Sequence, residues 1–242
     1  MKEANQSSSA PKIKSEQNST HQTIEPRTIW SISDPRNCDI RAGRSFNTDL
    51  YDSVLSVRNQ TDPRWPNQTT SVDKHSDQYC VFVDGQPVGC LGVTRALDGE
   101  LFMQEYCPKQ LIDDFYDTLG SAYRFRILAE YRKSSSLIPG VSLSRHLVRE
   151  VWREQIAKGV ALDIINIETS HVIFYQRMGY IHCEASDYVD PVLGTASSLM
   201  FLAADPDRIS IVSDIIRESD YTVSTNKVLA SLTRTRVYMN GV

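Results

Sequence analysis

Several residues in this chain carry chemistry by type and spacing. The stretch FYQRMGY, 174–180, gathers three aromatic side chains, an arginine and a glycine where a short helix should run into a strand. Tyr175 has a phenol that can give up or hold a proton, whereas Phe174, Met178 and Tyr180 have the spacing of packed core residues. Ser134, Ser135 and Ser136 precede a strongly periodic helix. Their hydroxyls and the N–H groups at its N-terminus suit a single phosphate, and equally suit a solvated loop. Arg145, Arg149 and Arg153 fall at i, i+4 and i+8 on one helix face. That stripe either steers an acidic partner or is a solvated face paired with Glu150 and Glu154. A cysteine enzyme built on Cys107 or Cys183 with His182 is disfavoured, because strand neighbours His182 and Cys183 point to opposite faces, and the same residues lack zinc-ligand spacing.

These groups need a sheet and helices to position them. TIWSIS, 28–33, alternates as a short strand, and Phe46, Leu50, Val54 and Val57 recur at helical spacing behind Ser45, a candidate N-cap. Residues 59–77 are polar, hold two prolines and read as a long loop. Loops of that length in compact domains are often functional. Two apolar runs across 78–96, joined by Asp84-Gly85, predict a hairpin with a tight primed turn. Behind Pro108 the pattern predicts a helix to 119, then a strand over 123–132, a Ser-rich loop over 132–140 and the strongest helix over 141–158, stopped at Gly159. VALDIINIE, 160–168, reads as a central strand and 171–178 as a short helix ended by Gly179. Residues 180–189 and 195–205 supply a last pair of strands, and Ile209, Ile211, Val212, Ile215 and Ile216 an added C-terminal helix.

The chain has 242 residues, 40% hydrophobic and 23% charged, which suits one sizeable domain. Residues 1–24 are rich in Ser, Gln, Asn and Lys and are expected to be a mobile tail, followed by a domain over 25–205 and a helical extension over 206–242. A net charge of −4 argues against gripping nucleic acid or an anionic membrane through the overall field. With no run of eighteen apolar residues, no apolar leader and five scattered cysteines, a cytoplasmic protein with reduced thiols is expected, without stable membrane insertion.

The order of hairpin, helix, strand, loop into a long helix, strand, short helix ending Tyr-x-x-x-Gly-Tyr and final strand pair resembles the GNAT acyltransferase superfamily over roughly residues 45–204. Within it, FYQRMGYIHCEASDYVDPVLGTASSLMFL, Arg58 with Trp65, Asp73 and Asp77 before the hairpin, and Glu130-Tyr131-Arg132 are more similar to N-acyl amino acid synthases and acyl-homoserine-lactone (autoinducer) synthases than to small acetyltransferases. The resemblance implies an α/β GNAT fold, a mixed sheet flanked by helices. It also implies transfer of a fatty acyl group from an acyl carrier protein or acyl-CoA thioester to a primary amine of an amino acid or peptide residue, with no metal. GNAT enzymes usually carry Arg/Gln-x-x-Gly-x-Gly/Ala before the long helix, where it holds the cofactor pyrophosphate. Here RKSSSLIPGVSLS offers only Gly140. The weaker cradle costs less for a carrier-protein donor, whose phosphopantetheine arm has one phosphate.

Acyl transfer from a thioester to an amine needs a proton acceptor, a polarised carbonyl and a protonated leaving thiol. Glu130, flanked by an apolar strand, is the expected base, with an ion pair to Arg132 or Arg126 as the alternative. The resemblance makes Tyr175 the acid for the thiol. Backbone amides near Tyr131, Arg132 and Lys133 would polarise the carbonyl, while Ser134, Ser135, Ser136, Gly140 and Ser142 would hold the phosphate. The resemblance also implies that Arg58, Trp65, Asp73, Asp77 and Arg95 surround the acceptor, where arginine could pair with a carboxylate and aspartate hold an ammonium. Arg95 lies further along its strand than in lactone synthases and an extra residue separates the aspartates, which weakens S-adenosylmethionine as acceptor. Two rivals stay open: an acetyl-CoA-dependent N-acetyltransferase, and an inactive GNAT-like binding module.

Overall fold

The computed structural model describes residues 26–33, 36–44, 49–65, 68–132, 142–183 and 186–239, the last six as backbone only. Short runs rich in apolar residues build the first half of a single sheet. β1 (Arg27–Ile32) pairs antiparallel with β2 (Cys38–Gly43), and β2 with β3 (Asp77–Val83). β2 buries Cys38, Ile40 and Ala42 and turns Asp39 and Arg41 outward, so its pattern is a strand's although its composition is half polar. β3 and β4 (Gln86–Arg95) form the expected hairpin, with Asp84 at φ 50° and Gly85 at φ 80° in the turn. β5 (Leu119–Ile127), β6 (Leu162–Glu168), β7 (Ile181–His182), β8 (Tyr188–Val189) and β9 (Ala196–Ala203) continue the sheet in the order β1-β2-β3-β4-β5-β6-β9-β7, with β8 also on β9. β5 ends five residues earlier than the expected strand, because the chain turns into a 3₁₀ segment over Ala129–Tyr131.

Helices cover both faces. α1 (Asp49–Thr61) lays Leu50, Val54 and Val57 on Cys80, Phe82 and Cys90. α3 (Leu143–Ile156) covers the other face, with Leu147 and Val151 in one core cluster with Val81 and Leu91, and Trp152 and Ile156 in the main core with Ile165. Its N-cap is Ser142, whose hydroxyl accepts from Arg145 N at 3.4 Å, and Gly159 at φ 91° follows its end. α2 (Lys109–Phe115) and α4 (Val172–Gln176) are short. α5 (Ser213–Arg217) and α6 (Thr225–Met239) follow β9, where Val212, Ile215, Ile216, Val223 and Val228 join the main core and Val223 N donates to Ala204 O at 3.0 Å. Among the described residues, no helix is long and apolar enough to cross a membrane.

Candidate active site

The site begins with a bulge. Cys90 pairs with Arg126 but Gly92 with Tyr123, so Arg124 and Phe125 together oppose Leu91, and Arg124 adopts φ 51°. A bulge bends its strand and increases its twist. Gly92 makes room for this, since a Cβ there would lie 2.5 Å from the Tyr123 ring. Past the bulge, β5 leaves its parallel neighbour. β5 and β6 pair only at Leu119↔Leu162, Gly120↔Asp163 and Ser121↔Ile164, and residues 122–127 and 165–168 stand apart.

The parting opens a cavity of about 750 Å³ that reaches both faces of the sheet. On the α3 face its walls are mostly apolar, with Leu91, Val93, Val148, Val151, Val160 and Ile165 beside Ser144, Gln155 and Asp163. On the α1 face they are mixed, with Trp65, Phe102, Arg124, Arg126, Asn166 and Tyr188. Arg124 stacks its guanidinium 4.7 Å over Trp65 and donates to Gln68 Oε1 at 3.1 Å. Burial pushes Arg124 down to about 10, and Arg58 adds to this. Asp62 accepts from Arg64 Nε and Arg126 Nη2, each at 2.9 Å, and Arg64 also donates to Glu168 at 2.6 Å. Burial raises the Asp62 carboxyl, but the two arginines outweigh it and hold the group below its usual range. Tyr188 OH donates to Asn166 Oδ1 at 3.3 Å.

At the closed end of the slot sits Asp163. Its Oδ1 accepts from Ala122 N at 2.8 Å and its Oδ2 from Tyr180 OH at 2.5 Å. Burial pushes this carboxyl up to about 7, against the lowering effect of both bonds. Tyr175 lines the same cavity, with Tyr180 5.5 Å away edge-on, and burial raises its phenol so that it holds its proton at neutral pH.

The structure gathers only part of the expected set. Tyr175, Trp65 and Arg132 line the cavity, Arg132 with Nε donating to Ile127 O at 2.8 Å. Lys133, Ser134, Ser135, Ser136 and Gly140 lie outside the described residues, and Ser142 uses its hydroxyl as the α3 cap. Glu130 is a correction: it is exposed on the 3₁₀ turn beyond β5 and does not line the cavity, because the strand it was expected to end stops at Ile127. Tyr131 shares that turn and is likewise off the cavity wall.

Arg58 and Asp73 are also corrected. They form a buried ion pair at 3.1 Å, 1% and 0% exposed, closed by Tyr51, Gln78 and Tyr123, so neither is open to an acceptor. Asp77 is buried under Gln155 and Lys158, each donating at 2.7 Å, and Arg95 is held by Asp98 at 2.6 Å; both lie off the cavity. The arginine stripe is partly spent within the chain, with Arg149 on Asp214 and Arg153 on Glu150. Met178 and Tyr180 are core, but Phe174 is 37% exposed and faces Phe125 across the cavity wall at 6.3 Å. Sequence reasoning missed Arg124, Asp163, Asn166 and Tyr188. An isolated acid inside the apolar run VALDIINIE was the one available signal, since a charge in a central strand needs a reason.

Two parallel strands that part behind a bulge, between a long helix on one face and a mixed pocket on the other, define the fold of the GNAT acyltransferases. Solved structures with that fold include FeeM, an N-acyl amino acid synthase from uncultured soil microbes, at 10% identity and a TM-score of 0.55, covering 71% of this chain and 93% of that one. The AHL synthase LasI gives 12% identity and 0.53 over 78% of this chain and 97% of its own. The CoA-dependent acyl-homoserine lactone synthase BjaI, solved with SAM and isopentyl-CoA, gives 13% and 0.51 over 81% and 97%. No protein-family model matches the sequence, and no curated protein matches it.

Proposed function

We propose that the chain is an N-acyltransferase that moves a fatty acyl group from a carrier-protein or CoA thioester to the primary amine of an amino acid or peptide residue. The observation that carries this reading is the slot between β5 and β6, which continues into a mostly apolar cavity on the α3 face. A thioester seated in the slot can extend a pantetheine arm outward and an acyl chain inward. An acetyl group would leave the walls of Val148, Val151, Val160 and Ile165 without a partner, which favours a longer chain. Across the sheet, Arg124 over Trp65 and the Arg64, Arg126, Asp62 and Glu168 cluster offer cations for an acceptor carboxylate and an aromatic wall for its side chain.

Both product carbonyl and leaving thiol have neighbours in this slot. Backbone N–H groups of the parted β5 edge suit a developing oxyanion, a device that contributes about 3 kcal/mol per donor where it has been measured. Tyr175, holding its phenol proton, suits the departing thiolate, whose ordinary pKa is about 8.5. FeeM, LasI and BjaI, named for acyl-amine synthesis, support the same direction. We place the protein in the cytoplasm, where such donors reside. Expression in a heterologous bacterium, followed by mass spectrometry of extracted lipids, tests the reading: new N-acylated amines absent from a vector control are expected, and an unchanged lipid profile together with no thiol release from acyl-CoA or acyl carrier protein would reject it.

A further inference from the structure

Among the described residues four carboxylates line the cavity, and all four have partners. Asp62 is held by Arg64 and Arg126, Glu168 by Arg64, and Asp190 accepts from the backbone N–H of Val192 and Leu193 at 2.8 Å. Like Asp190, Asp163 forms no ion pair with an arginine, lysine or histidine among the described residues; what sets it apart is its place, with both oxygens bonded to neutral donors at the point where β5 and β6 part. Its position is set by the parting itself. The next N–H along β5 after the last paired residue, Ser121, belongs to Ala122, and it finds the Asp163 carboxylate instead of a β6 carbonyl. The carboxylate therefore lies at the closed end of the slot.

We infer that Asp163 is the group that accepts the amine proton during acyl transfer, with Tyr180 as its positioning residue. The assignment rests on the function proposed above. The nitrogen lone pair of a neutral primary amine forms the C–N bond at the thioester carbon, and the N–H proton passes to an Asp163 oxygen. Collapse of the tetrahedral adduct breaks the C–S bond, and the thiolate takes the Tyr175 phenol proton. Asp163 then releases its proton to water and Tyr175 recovers one. A base titrating near neutral pH has the best combination of ionised fraction and basicity, and burial brings Asp163 to about 7.

The groups that face Asp163 are few. β5 contributes the Ala122 N–H, and Tyr180 its hydroxyl. α3 contributes Trp152, whose Nε1 donates to Tyr180 OH at 3.4 Å, and the neutral Gln155 on the same cavity wall. α4 contributes Tyr175, which senses Asp163 and, from β5, the charge of Arg126. The Tyr180 bond favours the ionised carboxylate. Removing it must raise the carboxyl further and move the acid limb of the rate profile to higher pH. His171, exposed on the cavity rim, is the competing base.

The test follows thiol release from palmitoyl-CoA and from palmitoyl-acyl carrier protein, with pooled free amino acids as acceptors, over a pH series. Asp163→Asn is expected to lower kcat at least tenfold at unchanged donor affinity, Tyr180→Phe to shift the acid limb upward, and His171→Gln to retain the wild-type profile. A loss under tenfold in Asp163→Asn, an unmoved limb in Tyr180→Phe, or a collapse confined to His171→Gln overturns the assignment and leaves the proposed function standing. If wild type releases no thiol from either donor, the proposed function fails and this assignment with it. Should Asp163→Asn fail to bind donor, the Tyr180→Phe profile alone decides.

Discussion

Replacing Arg58 by methionine separates a structural role from a binding role at a residue that the family resemblance places beside the acceptor. Arg58 reaches Asp73 through Nη1 at 3.1 and 3.2 Å and through Nη2 at 3.2 Å, and also donates to Gln68 O at 3.0 Å and Gln78 Oε1 at 3.1 Å. Asp73 accepts further bonds from Tyr123 OH at 2.5 Å, Tyr51 OH at 2.7 Å and Thr70 N at 2.8 Å. Taking the cation away leaves a buried carboxylate with neutral donors only, which costs about 3–5 kcal/mol. For a chain of this size that corresponds to roughly 6–20 °C in melting temperature. Thermal denaturation at pH 7 measures it, with turnover corrected for the folded fraction. Burial raises the Asp73 carboxyl, but Arg58 and the hydroxyls outweigh it and hold it below its ordinary value. The advantage of wild type over Asp73→Asn is therefore present above pH 4 and shrinks as the pH falls through the lowered folded value. An Arg58→Met protein that melts with wild type but shows a raised KM for the amine would refute the reasoning.

Asp163 has the opposite sign. Its folded carboxyl is raised from 3.8 to about 7, so the stability tied to its neutral form is complete below pH 4 and is lost as pH rises through 7. That gap corresponds to roughly 4 kcal/mol as an upper bound, so the melting temperature of Asp163→Asn should rise relative to wild type between pH 5 and 8; a constant difference would contradict the burial. Gly92→Ala sets a Cβ 2.5 Å from the Tyr123 ring and is expected to cost about 1–3 kcal/mol and to disturb the bulge, read by denaturant midpoint and by donor affinity. Glu130→Gln, on an exposed turn, should leave turnover within about twofold; a tenfold loss would return Glu130 to the site.

Much of the fold was legible because periodicity reports burial. The Asp84-Gly85 hairpin, the α3 helix behind Ser142 and the strand before Thr169 follow from alternation, helical spacing and turn chemistry. β2 was missed since only three of its six side chains are apolar. The site was less legible. The bulge at Arg124 has no glycine on its own strand beside it, only Gly92 on the facing strand, and it displaces the register that would have predicted which β5 side chains face the acceptor. Arg58, Asp73 and Asp77 carry the residue types of a polar pocket, yet long-range partners such as Tyr123 and Gln155 consume them. Burial of this kind depends on residues tens of positions away, which local pattern does not encode.

Filling the slot shows whether the parted strands receive a thioester. Ile167 lies on the parted stretch of β6 and lines the cavity, half-buried. Calorimetric titration of palmitoyl-CoA and palmitoyl-acyl carrier protein into wild type and Ile167→Trp compares an open with a plugged slot at equal folding. Wild type should bind at least one donor, and the tryptophan variant at least tenfold more weakly, with an unchanged melting temperature. Equal affinity in both proteins, or no thioester binding by wild type, would contradict a thioester seat between the parted strands.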